Sequence, residues 1–165
     1  MNKKSTALFL AQAGVITALY VALTCVAAGF DLASGAIQVR ISEALTVLPF
    51  FTPAAVPGLI IGCLLANTIT GAVLPDIIFG TLATAIGAFG TLLLKKHSFL
   101  CTLPPVLSNA IIIPFVLRYA YAIPGSIPFF CLTVGAGELI SCCLLGSVLI
   151  HALMPVRKVI FDRAG

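Results

Sequence analysis

Apolar residues fill this chain in long blocks, interrupted by short clusters of proline, glycine and charge. A helix that crosses a bilayer needs about 20 mainly apolar residues, and the blocks approach that length. The first runs from about Ala7 to Ala28, ahead of a more polar stretch from Gly29 to Arg40. The apolar tract from Ile41 to Val73 is too long for one straight span, and Pro49, Pro53 and Pro57 break it. Each proline removes a backbone donor, so the tract divides into a short second helix, about 42–51, and a third, about 57–73. A fourth follows Pro75 over about 76–94 and ends at Lys95-Lys96-His97; a fifth covers about 105–117. Pro124-Gly125-Ser126 marks a loop, and a sixth helix takes about 129–153. The pattern predicts an all-α membrane protein, a compact bundle of six transmembrane helices forming a single domain over residues 1–165.

Composition strengthens that picture. The 165 residues are 61% hydrophobic and only 8% charged, where soluble domains carry about 25% charge. The mean hydropathy is +1.20. A net charge of +4 on scattered carriers does not suggest a nucleic-acid surface. Lys3-Lys4 before an apolar run could open a signal peptide, but the run is long and the chain stays hydrophobic, so an uncleaved first span is expected. The six cysteines show no CxxC pair and no histidine at ligand spacing, so neither a metal nor a cofactor is expected.

Basic residues orient the bundle. With both termini in the cytoplasm of a multi-pass cell-membrane protein, Lys3, Lys4, Lys95, Lys96, Arg157, Lys158 and Arg163 fall inside. Only Arg40 and Arg118 fall outside. The same topology gathers Asp31, Glu43, Asp76 and Glu138 toward the outer face and leaves Asp162 inside.

Ionisable groups within a membrane are costly and commonly face a cavity, a partner or a solute path. Glu138, in Gly135-Ala-Gly-Glu, is therefore a candidate ligand contact. Glu43 and Arg40 are three positions apart and could pair with each other or meet a ligand. Asp76, directly after Pro75, could cap its helix or serve the site. Asn67 and Asn109 could bond a heterocycle edge or a neighbouring helix. Gln38 and Arg118 are weaker candidates, as loop residues that water can satisfy.

The first helix also carries Ala7, Ala11, Gly14, Ala18 and Ala22 on one face, a small-residue stripe that permits close helix contact inside the bundle or with another subunit. Gly58, Gly62 and Ala66 form a similar stripe in the third helix, and Gly80, Thr84 and Ala88 in the fourth. No GxxxxGK[ST], HExxH or GxSxG motif is present, so the chain shows no recognisable ATPase or hydrolase machinery and is expected not to be an enzyme.

The stretch Ile37-Gln-Val-Arg-Ile-Ser-Glu-Ala-Leu-Thr-Val-Leu-Pro-Phe-Phe, continued by Pro57-Gly-Leu-Ile-Ile-Gly-Cys-Leu-Leu-Ala-Asn67, resembles the queuosine-precursor transporter family of bacteria. Members are substrate-binding subunits of energy-coupling factor importers. The resemblance implies a ligand such as queuine or another 7-deazaguanine, captured from outside. It also implies a transmembrane coupling protein with two ATPase subunits as partners, docked through Gly14, Ala18 and Ala22, where Ala18-xxx-Ala22 is similar to the family's alanine motif. The implied roles put Glu138 or Glu43 on the guanine-like edge, Asn67 and Asn109 as orienting amides, and Asp76 near a cationic arm, with Tyr119, Tyr121, Phe129 and Phe130 as an aromatic wall. The loop from Asp31 to Arg40 would act as a lid. The alternatives are a subunit of the same kind for another vitamin-like ligand, a small intramembrane enzyme using Glu43, Asp76 or Glu138, or a channel-forming bundle.

Overall fold

The computed structural model describes residues 3–29 and 40–161, so Asp31, Gln38, Asp162, Arg163 and most of the expected lid loop lie outside the described residues. Six helices make up the described chain: α1 (Lys3–Gly29), α2 (Ile41–Phe50), α3 (Ala55–Ile69), α4 (Leu74–Leu93), α5 (Leu100–Ala120) and α6 (Ile127–Ile160). Four of them, α1, α4, α5 and α6, are long and apolar enough to cross a membrane. The other two are shorter than spans. α2 is a 3-10 helix of 10 residues, and at a rise of about 2 Å per residue it covers about 20 Å of a hydrocarbon core about 30 Å thick. Its tight winding accompanies Pro49, which lies inside it.

α2 is the centre of the bundle, with every residue from Ser42 to Pro49 buried. It packs against α1, α3, α4 and α6. α2 and α3 run in opposite directions between two ends of the bundle. At one end Arg40, Asn67, Asp76 and Tyr121 come together. At the other, Thr52 donates to Gln12 Oε1 at 2.8 Å, Gln12 donates to the Ile160 carbonyl at 3.0 Å, and Phe51 stacks on Phe161.

The prolines act as expected at helix starts, where a first-turn N–H has no intrahelical partner and its loss costs little. Pro57 lies in the first turn of α3, and Pro75 opens α4. α5 begins before the expected 105 and ends after 117; its last turn, Val116–Ala120, widens to a π-helix just past the internal Pro114. α6 likewise extends beyond 153 through a 3-10 turn at Met154–Val156.

The small-residue face of α3 is spent inside the bundle. A Cβ on Gly62 would stand 2.9 Å from Tyr20 Cβ, so this close approach of α1 and α3 requires glycine. The stripe on α1 is different. Ala7, Ala11, Gly14, Ala18 and Ala22 are all exposed, while Ala13, Ile16, Tyr20 and Ala27 form the buried face.

Candidate functional site

The polar groups of the bundle assemble in two connected layers at the end that holds Arg40. The upper layer lines a cavity of about 440 Å³, bounded by Thr24, Arg40, Ser42, Asn67, Asp76 and Tyr121 among others. That volume lies within the usual range for small-molecule sites, about 300–1,000 Å³. Arg40 reaches Asp76 Oδ2 at 3.8 Å, and the Tyr121 hydroxyl donates to the same oxygen at 2.8 Å. Burial, together with this bond to Asp76, pushes the Tyr121 phenol up, so it remains a neutral donor. Asn67 Nδ2 points to the Asp76 carbonyl at 3.5 Å. Gly80 makes room for both side chains, since a Cβ there would lie 3.1 Å from Asn67 Nδ2 and 3.2 Å from Asp76 Oδ1.

One residue below the Ser42 wall the lower layer begins. Glu43 is 1% exposed, and its Oε1 accepts a short hydrogen bond from the Tyr20 hydroxyl of α1. Glu138 of α6 accepts from the Cys142 thiol at 3.2 Å. Ligating atoms of Glu43, Glu138 and Cys142 all lie within 4.8 Å of one another. Asn109 of α5 flanks both carboxylates. Yet Asn109 Nδ2, Glu43 Oε2, Asp76 Oδ1 and Ser141 Oγ are buried without a well-aligned hydrogen-bond partner among the described residues. A buried polar atom left unpaired costs about 1–3 kcal/mol, so four in one region mark a place built to be completed by something else.

The six residues singled out from sequence, Glu138, Glu43, Asn67, Asn109, Asp76 and Arg40, therefore converge on one end of the bundle. Two of their open alternatives resolve in the geometry. Arg40 pairs with Asp76 rather than bonding Glu43, because it precedes α2 in extended conformation (φ −95°, ψ 100°) and is not on a helical face. Asp76 is not the cap of α4; Val73 holds that position, and the carboxylate turns to Arg40 and Tyr121.

The aromatic wall is only partly where expected. Tyr121 lines the cavity, but Phe130 packs with Ile113, Leu117 and Val134, and Tyr119 and Phe129 are exposed. Tyr20 and Cys142 were not foreseen as site residues. Tyr20 could have been found from the positions of Ala13, Ile16, Tyr20 and Ala27, which share a helix face opposite the small stripe. Cys142 follows Glu138 by one helical turn. A larger groove of about 530 Å³ on α4 and α5, lined by residues such as Phe79, Leu82, Ile111 and Phe115, offers almost nothing polar for recognising a solute.

A helical membrane bundle holding a polar cavity at one end, above buried carboxylates with unfilled bonding capacity, has the form of a membrane transport protein that binds a small polar solute. A family model described as QueT transporter matches residues 10–155. The chain thus belongs to the QueT transporter family, a family of transporters and not of enzymes. Neither the curated proteins nor the solved structures gave a match to this chain.

Proposed function

We propose that the chain is the substrate-binding subunit of an ATP-driven energy-coupling factor importer and that it captures a queuosine precursor, queuine or another 7-deazaguanine, from outside the cell. Membership of the QueT transporter family supports the solute class. The observation that carries the reading is the pair Glu43 and Glu138, with Asn109 beside them, directly beneath a cavity of nucleobase size. A guanine-like edge presents a ring N–H and an exocyclic amine, which a carboxylate accepts together, and a carbonyl that takes a donor such as Asn109 Nδ2. Asn67 and Asp76 then face the substituent on the five-membered ring, and Tyr121 packs beside it.

In this reading the whole chain is one transmembrane domain, and the cavity end faces outward. Lys95 and Lys96, after the end of α4, and Arg157 and Lys158, in the last turns of α6, are on the opposite side, and by the positive-inside rule they support a cytoplasmic location for that side and both termini. The exposed stripe of Gly14, Ala18 and Ala22 serves as the docking face for the transmembrane coupling protein, which carries two ATPase subunits. Small residues there let a partner helix approach closely, and ATP hydrolysis in the partners drives release to the inside. Uptake by cells expressing the chain with and without the coupling protein and its ATPases tests the assignment. Labelled queuine is expected to accumulate only with the complete set. Equal accumulation by the chain alone contradicts an ATP-driven subunit.

A further inference from the structure

Tyr20 does more than fill the core. Its side chain is 1% exposed, and its hydroxyl donates to Glu43 Oε1 across the contact of α1 with α2. The tyrosine is fixed from α3, where a Cβ on Gly62 would stand 2.9 Å from Tyr20 Cβ and 3.2 Å from its Cγ. On the same helix the Cys63 thiol lies beside the hydroxyl. Cys63 Sγ in turn accepts from Asn67 Nδ2 at 3.6 Å and from Thr84 Oγ1 at 3.3 Å. Tyr20 thus stands between the upper polar layer, through Asn67, and the lower one, through Glu43. A phenylalanine would fill the same space without burying a polar atom, so the use of the hydroxyl lies in its bond.

A phenol has one hydrogen to give, and here it goes to Oε1. Glu43 Oε2 is buried without a well-aligned partner among the described residues. The terminal torsion of a glutamate is broad and roughly two-fold, so an untethered carboxyl group can exchange its two oxygens or turn toward Glu138 and Cys142, whose ligating atoms lie within 4.8 Å. The bond from Tyr20 removes that freedom. It commits Oε1 as an acceptor and leaves Oε2 for a ligand in one position and one role. A group held in advance discriminates sharply, because a ligand with the wrong pattern of donors and acceptors leaves buried polar atoms unpaired.

Resting on the ring-edge recognition proposed above, we infer that Tyr20 is a positioning residue: by holding Glu43 through Oε1 it sets the preference of the site for a guanine-type edge over an adenine-type edge. It acts through Glu43 and not by touching the ligand.

7-Deazaguanine and 7-deazaadenine share a ring without an arm and differ at that edge, and each is titrated in competition with labelled queuine on the purified, folded protein. The unmodified protein is expected to bind the guanine type about 100-fold more tightly. Tyr20→Phe keeps the ring and leaves Oε1 unpaired, so it lowers the thermal melt whatever the role of the residue. Lower stability weakens both ligands alike, and the ratio of affinities therefore decides. That ratio is expected to fall about tenfold, through a loss for 7-deazaguanine that 7-deazaadenine does not share. If Tyr20→Phe is not recovered folded, Gly62→Ala, which displaces the tyrosine and keeps its hydroxyl, is expected to lower the ratio in the same direction. An unchanged ratio in the folded variant overturns the inference and leaves the solute class standing. So does an unmodified protein that binds queuine but takes both simple rings equally or neither. Failure of queuine itself to bind overturns the solute class and the inference together.

Discussion

Replacing Glu138 by alanine is expected to weaken queuine binding about 100-fold while leaving the fold intact. The contrast follows from what Glu138 touches. It accepts from the Cys142 thiol, a weak donor, with the Asn109 amide beside it, and its neighbour Glu43 is another carboxylate. Removing Glu138 therefore costs the free protein little, whereas a bound ring loses an acceptor inside a buried site. Glu43→Ala is a poorer probe, because it also orphans the Tyr20 hydroxyl. Isothermal titration beside a thermal melt separates the two effects. A Glu138→Ala protein that melts normally and binds queuine as before places the ligand elsewhere.

Ala18→Leu on α1 is expected to behave in the opposite way. Ala18 is exposed and lies on the face of α1 away from Tyr20, so a larger side chain leaves the bundle and the cavity unchanged. A docked helix would have to move outward to admit it, and overpacking of that kind typically costs 1–3 kcal/mol. Recovery of the coupling protein with the tagged subunit should drop about tenfold or more, with queuine affinity unaltered. Undiminished recovery, for Ala18→Leu and for Ala22→Leu alike, moves the partner to another surface.

The docking face assigned to α1 lies opposite the face that carries Tyr20, and the sequence exposes the two unequally. The stripe of small residues on α1 is plain in the spacing, but nothing in the spacing says whether it turns inward or outward. That is decided by the competition for the bundle interior. Gly58 and Gly62 of α3 take the face bearing Ala13, Ile16 and Tyr20, because glycine admits a tyrosine ring and leaves the alanine stripe unpaired.

The helices themselves were legible because membrane spans announce themselves by length and apolarity, and because prolines mark their starts. α2 was the least legible. It was expected to be short, and Pro49 hinted at an interruption, but its 3-10 winding and complete burial depend on the four helices around it.

The acids stood out for a different reason. A carboxylate in an apolar helix is costly, so Glu43, Asp76 and Glu138 stood out without the fold, although a pair with Arg40 and a helix cap were equally open readings for Glu43 and Asp76. Their partners did not. Arg40 lies three residues from Glu43 in sequence yet meets Asp76, because the extended backbone at Arg40 decides the direction of its side chain. Tyr20 reads as one more large residue in an apolar run, and only the packing of α1 on α2 turns its hydroxyl to Glu43.

The measurement that bears most directly on the central claim is equilibrium binding of queuine to the purified protein in detergent or nanodiscs, with riboflavin and biotin as controls. Saturable binding of queuine, and of neither control, is the predicted result. Binding of a control vitamin in place of queuine, or no binding of any deazaguanine by protein that is demonstrably folded, contradicts it.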